Sequence, residues 1–76
     1  SHQSKEERAA EAQRRQKIAE TEKRITALEK EESVLTEEIS TPEIAQNYEE
    51  LQKRCVRLEK IHAELNDAYA EYEKLI

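Results

Sequence analysis

Three features of the sequence predict an all-α fold, a two-helix antiparallel coiled-coil hairpin. Two long segments are built mainly from good helix formers, Ala, Glu, Lys, Arg, Gln and Leu. Both carry apolar residues at heptad spacing, the signature of a coiled-coil seam. Between them stands Ser40-Thr41-Pro42-Glu43, with the only proline in a chain that has no glycine. Proline inside a helix loses a hydrogen bond and clashes with the preceding turn, whereas at the first helical position it costs nothing. One helix is therefore expected at about 4–39, a turn at about 40–42 and a second helix at about 43–76. Thr41 or Ser40 would cap the second helix, with Glu43 against the positive end of its dipole. Residues 1–3 read as a tag remnant or a disordered lead.

In the first helix Ile18, Ile25, Glu32 and Ile39 occupy one seam position, and Thr21, Leu28 and Leu35 the other. Upstream the same frame meets Arg14, Glu11 and Glu7, so the apolar stripe ends while helix propensity continues. In the second helix Tyr48, Cys55, His62, Tyr69 and Ile76 alternate with Ile44, Leu51, Leu58, Leu65 and Tyr72, and Val56, Ile61 and Leu75 widen the stripe. Folding the chain at Pro42 opposes Ile39 to Ile44, Leu35 to Tyr48, Glu32 to Leu51 and Leu28 to Cys55. Ile25 then faces Leu58, Thr21 faces His62, Ile18 faces Leu65 and Arg14 faces Tyr69. Flanking pairs expected from this register are Glu31 with Arg54 and Arg8 with Glu73, while Glu22 and Glu59 would clash. A parallel dimer of straight helices would have to bury Pro42 in mid-helix at about 3 kcal/mol or more per chain. A monomeric hairpin is the expectation.

The chain has 76 residues, of which 36% are hydrophobic and 41% charged, so it forms one small unit that must rely on regular helix packing. Its single cysteine excludes an internal disulfide. Apolar runs never approach the roughly 20 residues of a membrane span, and no signal peptide pattern opens the chain; a cytoplasmic location without membrane contact is expected. No phosphate-binding glycine loop, catalytic triad or metal motif occurs. Cys55, Glu59 and His62 lie within two helical turns of one another, but a small core cysteine and a polar seam layer explain them more simply than metal ligation. A hairpin also lacks a pocket to hold substrate away from water, so catalysis by this chain is not expected.

Charge is unevenly spread. Residues 25–52, nearest the turn, hold eight acidic side chains and one basic one, Lys30, a net of −7, against +2 for the remainder. Contact with nucleic acid would therefore use the open end. Its candidates are Arg14, Arg15, Lys17, Lys23, Arg24, Lys53, Arg54, Arg57 and Lys60, with Tyr69 and Tyr72 as stacking surfaces. The simpler reading is a solvated charged face, with the two tyrosines closing the core. Glu32 in the seam is expected to reach past the helix edge into water, and Tyr48 to lie near the turn with its hydroxyl at the surface.

Ser4-Lys5-Glu6-Glu7-Arg8 resembles the opening of the C-terminal domain of ABC-F proteins, soluble ATP-binding-cassette ATPases without membrane domains. Ile25-Thr26-Ala27-Leu28-Glu29-Lys30-Glu31-Glu32 is similar to the first helix of those domains. Thr41-Pro42-Glu43-Ile44 resembles their break, and Tyr48-Glu49-Glu50-Leu51 the second helix that follows it. Tyr69-Ala70-Glu71-Tyr72-Glu73-Lys74-Leu75 resembles their Tyr-x-x-Trp-Glu-x-Leu close, with Tyr72 in place of Trp. The likeness covers nearly the whole chain. It implies a non-catalytic accessory hairpin attached to two tandem ATPase domains, with ATP and Mg as cofactors of that parent and none here. It further implies a parent acting at the ribosome in translation or antibiotic protection, and a tail that in some members binds DNA. The competing reading is a structural arm that docks proteins without binding nucleic acid. A hairpin arm like that of seryl-tRNA synthetase is a third, with no motif to support it.

Overall fold

The computed structural model describes residues 4–76; the tag remnant expected at 1–3 lies outside them. Three helices follow in order: α1, Lys5–Ile39; α2, Pro42–Ala45; and α3, Tyr48–Leu75. They form a helical hairpin 65 Å long and 15 by 14 Å across. Ser4 starts α1 by accepting a hydrogen bond from the Glu7 backbone N–H at 3.0 Å, and Asn47 does the same for α3 with the Glu50 N–H at 3.2 Å. Both satisfy a donor that has no partner inside the helix, and Glu6, Glu7, Glu49 and Glu50 place negative charge at the same ends.

The chain does not reverse at Pro42. At 1.5 Å per residue α1 measures about 52 Å and the stretch from Lys5 to Ala45 about 61 Å. The observed length therefore has α2 carrying on beyond α1 as its bent continuation, and the reversal comes at Gln46 and Asn47. Thr41 is extended (φ −78°, ψ 143°), as a residue before proline prefers. Its hydroxyl does not cap α2, as the sequence suggested, but donates back to the Glu38 carbonyl at 2.7 Å. The Ser40 hydroxyl likewise donates to the Thr36 carbonyl at 3.0 Å, so both serve the end of α1. The expected continuous helix at 43–76 is thus divided.

Moving the reversal from Pro42 to Asn47 slides the two helices past each other. The buried residues among those described are Thr21, Ile25 and Leu28 on α1 with Ile61, Leu65 and Ala68 on α3, and Leu35 and Tyr72 pack against the apolar ones. This pattern opposes Ile18 to Leu75, Thr21 to Tyr72, Ile25 to Ala68, Leu28 to Leu65, Glu32 to Ile61 and Leu35 to Leu58. Leu65 therefore lies about ten residues, or ~15 Å, further along α1 than the expected register placed it. The α1 seam and the series Leu51, Leu58, Leu65, Tyr72 stand as predicted. The other α3 series is corrected: Ile61, Ala68 and Leu75 enter the seam, whereas Tyr48, His62, Tyr69 and Ile76 are exposed.

Energetics favour this frame. Ile61 is 0% exposed, and burying such a side chain is worth about 1.5–3 kcal/mol, whereas an imidazole in its place would need a partner. Thr21, expected to share a polar layer with His62, instead satisfies itself by donating to the Lys17 carbonyl at 2.7 Å. Because α3 ends near Arg14 and Ile18, the first turns of α1, from Lys5 to Ala10, extend past it and are exposed on all sides.

Candidate nucleic-acid interface

The candidate cations are divided by what they already hold. Arg57 binds Glu31 through two 2.7 Å contacts and lies 3.9 Å from Glu64. Arg54 bridges the helices, reaching Glu38 at 3.1 Å and Glu50 at 2.8 Å. Arg24 lies 4.0 Å from Glu71. Glu38, Glu31 and Arg24 are one heptad apart on α1, so these groups form a ladder along a single flank of the hairpin. The expected pairing of Glu31 with Arg54 is replaced by Arg57, as the shifted register requires.

At the open end, Arg14 donates to the Glu11 carboxylate at 2.9 Å and to the Leu75 carbonyl at 2.8 Å. The second contact satisfies an acceptor left unpaired by the last turn of α3 and ties that end to α1. Arg15 also reaches Glu11, at 3.4 Å, and Lys53 lies 4.0 Å from Glu50. Lys17, Lys23 and Lys60 have no ion-pair partner among the described residues. Arg14 and Glu38 are separated along α1 by roughly 36 Å, so the candidates do not form one patch. Arg54 and Lys53 sit toward the reversal, whereas Arg14, Arg15, Lys17 and Lys23 sit toward the open end.

The two tyrosines part company. Tyr72 packs against the core, and Tyr69, 42% exposed, donates its hydroxyl to Glu29 on the flank opposite the ladder. Neither stands beside Arg14 as the expected register had it. On the same flank His62 Nε2 lies 2.7 Å from Glu32 Oε2. Glu32 does reach the edge of the seam, half-buried, and there it meets His62. Sequence reasoning missed these contacts and Arg14's hold on α3, because all depend on the register.

Hydrogen bonding sets the electrostatics. Glu11, Glu31 and Glu50 are held below the ordinary carboxylate range, chiefly by the arginines that donate to them: Arg14, Arg57 and Arg54. Those arginines are raised in return. The Tyr69 hydroxyl is pushed up by its hydrogen bond to Glu29, with desolvation and the nearby Glu29 and Glu32 charges adding to it. A carboxylate whose folded value is depressed contributes stability above its unfolded value and loses that contribution as pH falls through the folded one. Glu31→Gln is therefore expected to lower the thermal midpoint slightly at pH 7, and the difference from the parent chain should shrink as pH falls below the ordinary glutamate value of about 4.3 and be lost once the folded carboxylate is protonated. Circular dichroism melts between pH 3 and 7 would show it. A constant difference across that range would contradict the pairing.

Among the described residues no cluster of metal-ligating side chains occurs, and no helix is long and apolar enough to cross a membrane. Surface depressions on the hairpin are open and shallow, which suits contact with another macromolecule better than enclosure of a small substrate. No curated protein and no solved structure matches the chain. The model of the family described as "ABC transporter C-terminal domain" matches residues 4–76. That match spans both helices of the hairpin, the bend and the reversal, and with it the chain belongs to the ABC transporter C-terminal domain family.

Proposed function

We propose that this chain is the non-catalytic C-terminal accessory domain of a soluble tandem ABC-F ATPase and contacts nucleic acid, either DNA or ribosomal RNA, through its open end. The parent would bind and hydrolyse ATP with Mg in its own domains, in the cytoplasm, and this hairpin would extend its reach. Family membership supports the accessory role. One observation carries the nucleic-acid contact: Lys17 and Lys23 have no carboxylate partner among the described residues and, like Arg15, lie on the part of α1 remote from the acidic reversal. Arg54 and Arg57 are already neutralised across the helix interface and fit a structural role better. Lys60 is a peripheral contact.

Anisotropy of a fluorescein-labelled 20-base-pair DNA duplex, and of an RNA stem-loop of similar length, tests the reading between 50 and 200 mM KCl. Weak binding with a steep salt dependence is expected. Changing Arg15, Lys17 and Lys23 to Glu should lower affinity at least tenfold at low salt and reduce the slope of log K against log salt by roughly 2–3. Equal affinity before and after would sink the interface. The ladder of paired arginines favours the competing reading, a structural arm that docks protein; under it no salt-dependent nucleic-acid binding appears at all.

A further inference from the structure

The two flanks of the hairpin are chemically unlike. One is closed by the ladder in which Arg54, Arg57 and Arg24 each neutralise carboxylates. On the other, α3 presents Tyr48, Cys55, His62 and Tyr69, one heptad apart. Tyr48 is 75% exposed, and Cys55 is a half-buried free thiol. Contacts from Glu32 to His62 and from Glu29 to Tyr69 fix these two acids on the same flank, and Glu22 lies one heptad before Glu29. None of the three acids has a lysine or arginine partner among the described residues. The flank is thus a heptad-spaced stripe of aromatic and soft side chains with an acidic border.

We propose that this flank is a docking groove for a third helix, an amphipathic segment of another polypeptide with apolar residues at heptad spacing and lysine or arginine beside them. Two arguments select that occupant. First, the stripe continues the established seam: half-buried Leu51 and Leu58 lie next to Cys55, so a third helix completes the packing that two leave open on this side. Second, Glu22, Glu29 and Glu32, which have no lysine or arginine partner among the described residues, complement a basic edge and repel an acidic one. A second copy of the chain joined through the same flank would set acid against acid. Nucleic acid would meet the same repulsion. Of the open-end cations Arg15 alone is in line with this border, one heptad before Glu22, and it is held by Glu11; the groove does not depend on those cations binding nucleic acid.

The whole chain is tested with a synthetic 28-residue helix carrying Leu and Ile at its seam positions, Lys beside them and Ala elsewhere. The like charge of its lysines keeps the probe from pairing with itself. A control helix has Glu for every Lys. The lysine helix is expected to bind at least tenfold more tightly than the control at 50 mM salt, and to slow alkylation of Cys55 by iodoacetamide at least fivefold. Changing Glu22 and Glu29 to Lys should reverse the preference, whereas changing Arg15, Lys17 and Lys23 to Glu should not abolish it. Binding that leaves Cys55 equally reactive, or that ignores the Glu22 and Glu29 changes, would overturn the proposal. So would a sedimentation result showing dimers with Cys55 protected in the absence of probe, or protection of Cys55 by the DNA duplex instead.

Discussion

Ile61→Ala should leave the chain largely unfolded at room temperature. Removing a fully buried isoleucine costs about 2–5 kcal/mol, and a hairpin of this size rarely has more than about 3–5 kcal/mol in total. Ile61 is 0% exposed and belongs to a cluster of only five buried apolar side chains, so little around it can collapse into the space. The expected result is loss of most helical signal at 222 nm and of a cooperative melt. His62→Ala, one residue away, removes an exposed imidazole and should shift stability by less than about 1 kcal/mol. The comparison separates the two registers, since the frame with His62 in the seam predicts a large effect at both positions. A stable Ile61→Ala chain would refute the packing described above.

Ala68→Leu is the second large effect, in the opposite sense of volume. Ala68 is 0% exposed and belongs to the same buried cluster as Ile25 and Leu28 on α1, so three extra carbons have nowhere to go without pushing the helices apart. Overpacking of this kind costs about 1–3 kcal/mol. Ala63→Leu and Ala70→Leu, at exposed sites on the same helix, should stay within about 0.5 kcal/mol of the parent chain. Urea denaturation followed by circular dichroism would measure all three. An Ala68→Leu chain as stable as the exposed-site controls would mean that α3 presents another face to α1.

Much of this architecture was legible in the sequence. Ile18, Ile25, Leu28 and Leu35 define the α1 seam by spacing alone, as do Leu51, Leu58, Leu65 and Tyr72 on α3. What misled the reading was that α3 carries two heptad series one residue apart. Tyr48, Cys55, His62 and Tyr69 are as regular as Arg54, Ile61, Ala68 and Leu75, and regularity does not say which is buried. Side-chain chemistry does: an isoleucine, an alanine and a leucine have no polar atoms to satisfy, whereas a histidine and two tyrosines do. The lone proline drew the reversal to itself because it ends helices. Asn47 followed three residues later by Glu50 was the better signal, since it marks a helix start. From a misplaced reversal the error passed to the candidate site: Arg54 with Glu38 and Tyr69 with Glu29 are long-range pairs, invisible until the helices are aligned.

The bend at Pro42 has a mechanical meaning as well. No glycine loosens either long helix, so the hairpin behaves as a stiff strut in which, among the described residues, the helical interruptions at Ser40-Thr41 and Gln46-Asn47 lie together at one end. A rod 65 Å long converts a small rotation at its open end into a large sweep at the other: pivoting by about 10° carries the Asn47 end roughly 11 Å. A rotation of the paired helices is therefore carried to the far tip, where the bend and the reversal interrupt the helices. A lever of this shape reports the angle of whatever holds it.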